Sequence, residues 1–319
     1  MTTMLEQSQR RRTTNPAERL RATMAAARIS LSWLGVHKSL SPQQKAEAAD
    51  TFGANDQFIS AGKKLLDTKH PSFRSVTAVR NRIISLWKGM SLPYPEPAVR
   101  LIRLDQVELF NEQMVGLRAE LGEAVERLEE HYADLKAAAR NRLGRLFNDA
   151  DYPPTLGNLF SVEWDFPSIE PPAYLQQVNP ELYEQESQRV AARFDEALEL
   201  AEQAFASELS QLVSHLHERL SGAADGKAKV FRDSAVTNLV EFFQKFRNLN
   251  VRSNDQLDEL VSHAQQVVQG IEPQSLRDNR VLRQTLVSEL SELQGTLEGL
   301  LVDRPRRNIL RQSPAQETA

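Results

Sequence analysis

Residues 107–146 read VELFNEQMVGLRAELGEAVERLEEHYADLKAAARNRLGRL, and this stretch decides the class of fold. Apolar residues recur in it at alternating steps of three and four, which is the heptad-like seam of a long packed helix. We therefore predict one continuous helix over roughly 106–147, begun by Asp105. At 1.5 Å per residue it would be about 60 Å long. The seam consists of Val107, Phe110, Met114, Leu117, Leu121, Ala124, Leu128, Tyr132, Leu135, Ala139, Leu143 and Leu146.

A second stretch of the same kind follows, at roughly 180–221. Asn179 and Pro180 have the residue types that begin helices, and Gly222 and Gly226 stop it. Two seams of matching length, joined by about 30 residues, predict an antiparallel helical hairpin that resembles a coiled-coil stalk. The same seams would also serve to pair two copies of the chain. The second seam consists of Tyr183, Val190, Phe194, Ala197, Ala201, Phe205, Leu209, Leu212, Leu216 and Leu220.

Short strands and shorter helices complete the prediction. Residues 29–33 and 160–166 alternate apolar and polar at period two, which predicts strands with one buried face. Val99–Arg103 is a third strand candidate, after a proline-rich connector at 91–97. The predicted fold is mainly α, with the long hairpin, shorter helices and a small minor β element. The shorter helices lie at roughly 15–27, 42–53, 55–67, 71–88, 234–247, 254–269 and 275–302.

Charge and composition set the expected domain organisation and compartment. The chain has no cysteine and no run of about 18 apolar residues, so we expect a soluble protein of the cytoplasm without a membrane span. The net charge is −4; residues 1–14 and 303–319 carry +2 each, which leaves −8 for residues 15–302. The predicted domains are a disordered basic tail at 1–14, an N-terminal helical region with short strands at 15–104, the hairpin at 105–222 with a strand-containing insert at 148–178, a C-terminal helical region at 223–303 and a disordered basic tail at 304–319.

No motif for catalysis, cofactor binding or metal binding emerges from the sequence. His215 and His217 are two residues apart on a helix and so face different sides. No Glu-x-x-His pair, nucleophile elbow or phosphate-binding loop occurs. We therefore predict no catalytic, cofactor or metal residue, no cofactor and no enzymatic activity. A site assembled from scattered residues would be the exception.

Aromatic residues on the strand candidates and arginines in the tails are the predicted interaction residues. Trp33 and Trp164 have two readings: they pack in one apolar cluster where strands meet helices, or they form a recognition patch at the tip of the hairpin. The tail arginines would contact nucleic acid or an acidic partner. The interaction candidates are Trp33, Phe160, Trp164, Phe166, Arg10, Arg11, Arg12, Arg304, Arg306 and Arg307.

Three short motifs, in the same order along the chain, carry a family resemblance. They are Ile29-Ser-Leu-Ser-Trp-Leu-Gly, the connector Leu92-Pro-Tyr-Pro with Arg100-Leu-Ile after it, and Tyr152-Pro-Pro followed by Phe160-Ser-Val-Glu-Trp. Over residues 28–220 the chain resembles the helical family of bacteria and phages called "domain of unknown function 3150". Members are often encoded beside a MoxR-type AAA+ ATPase and a von Willebrand A protein. The resemblance implies such partners and brings no catalytic residue.

The functional prediction is a non-enzymatic adaptor or scaffold that acts in a protein assembly, because the helices are longer than a core requires and no site motif occurs. The alternative is a nucleic-acid-binding protein that uses its basic tails and arginine-rich helix faces. Homo-oligomerisation through the long seams stays open beside both. The arginine-rich faces are Arg74, Arg80 and Arg82, and Arg140, Arg142 and Arg145.

Overall fold

The computed structural model describes residues 15–221 and 233–302. The described chain is mainly helical with a small antiparallel sheet. It divides into two compact units, one formed by residues 21–190 and the other, within the described residues, by 15–20 together with 191–221 and 233–302. The N-terminal elements are α1 Pro16–Thr23, β1 Met24–Ser32, β2 His37–Ser39, α2 Pro42–Thr51, β3 Gly62–Lys64 and α3 Pro71–Gly89.

The remaining elements are three strands and eight helices of the described residues. Their bounds are β4 Ser91–Pro93, β5 Val99–Arg103, α4 Val107–Glu130, α5 Tyr132–Leu143, β6 Ser161–Asp165, α6 Tyr174–Val178, α7 Pro180–Ser221, α8 Ser234–Leu249, α9 Asp255–Val268, α10 Pro273–Asp278 and α11 Arg280–Val302.

The main sheet lies in the unit of residues 21–190 and joins strands that are far apart in sequence. Its order is β4-β5-β1-β6, with every neighbouring pair antiparallel. In register, Ile102 lies opposite Ala25, and Trp164 lies opposite Ile29. β4 contains Pro93 and lies at an edge, where the missing backbone donor costs no ladder bond. Because β6 completes the sheet, residues 148–178 belong to the same compact unit as the N-terminal strands.

The core of this unit forms where one sheet face meets α3 and α4. Ala27, Ile29, Ile102 and Val162 supply the sheet side. The α4 seam residues from Phe110 to Leu128 are all buried in the same cluster. They pack there because α4 lies along α3, whose own buried stripe is Phe73, Val76, Val79 and Ile83.

The prediction of one continuous helix over 106–147 is wrong, because two helices occupy this stretch. The chain leaves the helix at His131, where the backbone N–H bonds Leu128 O at 3.2 Å, and a new helix starts at Tyr132. The antiparallel pairing of this segment with the helix at 180–221 is not confirmed. The seam of α4 and α5 is instead occupied by α3, the sheet and residues 152–162. α7 itself runs for 42 residues, as its seam predicted.

Three other boundaries differ from prediction. The first helix ends at Thr23 and Met24–Ala27 are strand, because they pair with β5. Residues 55–67 are not a helix: they hold a single 3-10 turn at Asp56–Phe58 and then β3, which pairs with β2. The predicted helix at 275–302 is two helices, because Asn279 caps a new one by accepting a hydrogen bond from Leu282 N at 3.0 Å.

In the other unit, α7 from residue 191 onward and the helices α8 to α11 assemble around aromatic side chains. The rings of Phe205 and Phe246 lie edge to face with centroids 5.0 Å apart, and Phe242 is 2% exposed. Ser253 Oγ donates to the Glu202 carboxylate at 2.6 Å, which fastens the turn before α9 to α7. Leucines of α11 close this core: Leu286, Leu290, Leu293 and Leu297.

Candidate interaction surface

The predicted aromatic candidates Trp33 and Phe160 lie at the margin of the sheet core. Phe160 is 5% exposed, and its ring meets that of Trp33 edge to face at 4.9 Å. The guanidinium carbon of Arg80 lies over the Trp33 ring, 5.0 Å from its centroid. These contacts leave little apolar surface for a partner. Phe160 belongs to the core cluster, and Trp33 packs against it where strands meet helices.

Trp164 is held in a similar way on β6. Its Nε1 donates to Asn111 Oδ1 at 2.9 Å, and the Arg118 guanidinium lies 5.0 Å above the ring. Phe166, just beyond the strand, is 40% exposed and contacts Phe110 edge to face at 6.3 Å. Both side chains therefore belong to the rim of the core and present only part of their surface.

The tail candidates Arg10, Arg11, Arg12, Arg304, Arg306 and Arg307 lie outside the residues that the structure describes. Their role stays a prediction. Within the described part, no group of three or more His, Asp and Glu side chains is placed to hold a metal ion. Among the described helices, none is both long and apolar enough to cross a membrane.

A feature that the sequence analysis missed is the excursion between β2 and β3, residues 40–61, which we call the arm. Its neck is the two-stranded pair of β2 and β3, with Lys38 opposite Lys63, and Leu40 N donates to Ala61 O at 3.0 Å. Gly62 allows a close approach at this neck, because a Cβ there would lie a tight 3.2 Å from Lys38 O. The arm thus leaves and re-enters the unit at one point.

Helix caps order the arm internally. Ser41 and Gln44 form a capping box at the start of α2, with Gln44 N donating to Ser41 Oγ at 3.2 Å. Asn55 caps the following 3-10 turn by accepting from Gln57 N at 2.9 Å. Only Ala49 of α2 is buried, so this helix has almost no core of its own. Local hydrogen bonds, rather than apolar packing, hold the arm in shape.

The outer end of the arm, residues 50–58, carries two exposed aromatic side chains; we call it the tip. Phe52 is 81% exposed and Phe58 is 89% exposed. Single exposed apolar residues are ordinary, so the notable feature of the tip is that two phenylalanines, six positions apart in sequence, are both largely exposed on one short ordered segment. A signal was present in the sequence: both rings stand in a polar stretch and match no helical seam.

A charge cluster braces the neck of the arm against residues 144–152. Asp151 lies between the two opposed lysines, with its oxygens 2.6 Å from Lys38 Nζ and 2.6 Å from Lys63 Nζ. Lys63 also donates to Leu146 O at 2.6 Å. Two like charges directly opposite in a strand pair repel, and the carboxylate compensates both. Hydrogen bonds from Lys38 and then Lys63 lower the pKa of Asp151 below its ordinary value.

Aromatic packing completes the brace. Tyr152 OH donates to Leu65 O at 2.9 Å, just beyond β3. The ring of Phe147 stacks on that of Tyr152 at 5.0 Å. Tyr132 OH donates to Pro153 O at 2.9 Å, and burial raises the pKa of Tyr132 to about 12. The arm is therefore mounted on a rigid base rather than on a loose loop.

The arginine-rich helix faces carry many neutralised charges. Arg82 pairs with Glu120, Arg140 with Asp149, and Arg142 with Asp67. Arg145 lies 3.8 Å from Glu47, and Arg80 covers Trp33. Several arginines of these faces therefore have a carboxylate neighbour, which lowers the net positive charge that they offer to a phosphate backbone.

Comparison of the chain with protein-family models, with curated proteins and with solved structures gave no match.

Proposed function

We propose that this chain is a non-enzymatic adaptor that binds another protein through the tip of its arm. The observation that carries the proposal is the exposure of Phe52 and Phe58 on an ordered, braced element. Aromatic side chains are enriched among the residues that dominate protein–protein binding energy. A pre-ordered element also loses less conformational freedom on binding than a loose loop does.

The resemblance to the family named above supplies the identity of candidate partners. A MoxR-type AAA+ ATPase and a von Willebrand A protein are the two that it implies, and the adaptor would act in their assembly in the cytoplasm. The alternative is nucleic-acid binding through the tail arginines and the arginine-rich helix faces, and the carboxylate partners of Arg82, Arg140 and Arg142 weigh against the helix faces.

The test is affinity purification of the tagged full chain from the organism that encodes it. We compare the unaltered chain with the double variant Phe52→Ser/Phe58→Ser and with Tyr174→Ser. Tyr174 is the matched control, because it is an aromatic side chain that is 64% exposed but lies outside the arm. Burying one phenylalanine contributes about 1.5–3 kcal/mol, so each loss should weaken binding roughly tenfold or more.

We expect a protein partner at near-stoichiometric yield with the unaltered chain and with Tyr174→Ser, and its loss with the double variant. Mass spectrometry then shows whether it is the ATPase or the von Willebrand A protein. Failure to recover a stoichiometric protein with the unaltered chain would count against the adaptor function. Equal recovery with the double variant would count against the arm as the binding element.

A further inference from the structure

The tip is acidic as well as aromatic. Residues 50–58 contain Asp50 and Asp56 and no Lys or Arg, and both acids are exposed. In the part of the chain that the structure describes, neither carboxylate takes part in an ion pair within 4 Å, whereas Glu47 on the same arm lies 3.8 Å from Arg145. Two acids without an ion-pair partner among the described residues thus alternate along the tip with two exposed phenylalanines.

These charges discriminate among the surfaces that would accept exposed phenylalanines. A membrane surface with anionic lipids repels them, and so does a nucleic-acid backbone. A second copy of this chain is a poor match as well, because residues 15–302 carry a net charge of −8. A basic protein surface attracts them and accelerates the encounter.

We infer that the tip docks on a different protein, at apolar sockets for Phe52 and Phe58 bordered by Lys or Arg side chains that pair with Asp50 and Asp56. This inference rests on the proposed function and names the chemistry of the partner. Two phenylalanines bury about 150–250 Å² each, well below the roughly 800 Å² per partner of a stable interface. The tip therefore supplies the anchoring residues of a larger or short-lived contact.

The test uses the full chain with Phe52→p-benzoylphenylalanine, which keeps an aromatic ring at the tip and forms a covalent bond to its neighbour under light. The purified protein is irradiated in lysate of the organism that encodes it, and the attachment site is mapped by mass spectrometry. A parallel sample receives vesicles of phosphatidylglycerol and phosphatidylcholine. Charge dependence is measured with Asp50→Lys/Asp56→Lys in the same background.

The matched control for charge is Glu112→Lys/Glu126→Lys, which reverses the same number of exposed acids on α4, outside the arm. We expect attachment to one protein beside at least two Lys or Arg residues, with about a tenfold lower yield for the tip reversal and an unchanged yield for the control. High salt should lower the yield of the unaltered chain, because exposed charge pairs are screened.

The outcomes separate the inference from the proposed function. Attachment to a protein at a site without Lys or Arg, or equal yields for the two reversals, overturns the basic-partner inference and leaves the adaptor function standing. Attachment to a second copy of this chain overturns the inference as well. Attachment to lipid, or to no protein at all, overturns both. An unchanged unfolding midpoint for Asp50→Lys/Asp56→Lys assigns its loss of yield to binding rather than to misfolding.

Discussion

Asp151→Asn should destabilise the unit of residues 21–190 far more than Asp149→Asn does. The substitution keeps the shape of the side chain and removes its charge. Lys38 and Lys63 then face each other across the β2–β3 pair with no carboxylate between them. The Lys63 side chain is 5% exposed, so its charge would remain buried without a counter-charge.

The size of the expected loss in stability follows from the burial of Lys63 and the exposure of Lys38. Breaking a fully buried ion pair by removing one partner costs about 3–5 kcal/mol. Lys38 is 55% exposed, so water screens part of the repulsion, and Lys63 keeps its bond to Leu146 O. We therefore expect a loss of about 2–3 kcal/mol. Lys63→Met should cost less, because it removes the buried charge instead of stranding it.

Asp149→Asn is the control, since Asp149 is 65% exposed and pairs with Lys136 and Arg140 at the surface. It should cost less than about 1 kcal/mol. The assay is urea unfolding followed by tryptophan fluorescence. Trp33, Trp87 and Trp164 all lie between residues 21 and 190, so the signal reports this unit. Equal losses for the two variants, within about 0.5 kcal/mol, would refute the argument.

The same cluster predicts a pH dependence with a definite sign. The pKa of Asp151 is lowered in the folded chain by its bonds to Lys38 and Lys63, so the stabilisation is present above the ordinary carboxyl pKa. It should be lost as the pH falls below that value through the lowered pKa. Asp151→Asn should show a correspondingly shallower loss of stability in acid, and an unchanged acid profile would contradict the assignment.

Three further predictions concern other parts of the chain. A spectrophotometric titration should show that the phenol of Tyr132 ionises only near pH 12, so the free energy of unfolding should fall as the pH rises from about 10 to about 12. Tyr132→Phe should remove that part of the fall, and it should cost about 1 kcal/mol at neutral pH because the hydrogen bond to Pro153 O is lost. Ala98 has φ of +62°, so Ala98→Gly should raise the stability seen by tryptophan fluorescence by up to about 1 kcal/mol, and a loss would contradict the strain. Phe242→Ala should cost about 3–5 kcal/mol in denaturation followed by circular dichroism, because the ring is 2% exposed; a cost below about 1 kcal/mol would contradict its central place.

Periodicity predicted the helices well where one apolar face is buried along its length. The α7 seam is an example: Val190, Phe194 and Phe205 are all buried. Strand alternation also located β1 and β6, because each has one face on the core. Periodicity does not reveal which partner fills a seam. The α4 seam would fit another long helix equally well, and the structure fills it with α3 and the sheet.

The errors have physical causes in long-range pairing and in backbone breaks that lack a proline or glycine. β1 pairs with β6 across more than a hundred residues, so the order of the sheet is invisible to a local pattern. His131 interrupts the helix although no helix-breaking residue stands there. The helix of the arm was predicted at 42–53 and is confirmed as α2, but the β2–β3 pair that closes the arm was missed, because it joins two three-residue strands more than twenty positions apart.

The charge cluster of Lys38, Lys63 and Asp151 and the exposed phenylalanines of the tip are consistent with one binding role. A buried lysine–aspartate cluster is a poor means of gaining stability, because apolar side chains of similar volume often do as well or better. A charge cluster of this kind specifies one arrangement, since Lys38 and Lys63 can be compensated at once only when Asp151 lies between them. It therefore fixes the direction in which the neck leaves the unit. A fixed direction matters little for a surface loop without a partner, but it is needed if Phe52 and Phe58 are to enter two sockets at once. The Asp151 cluster is thus expected to matter for binding through the direction that it gives the arm, beyond its contribution to stability.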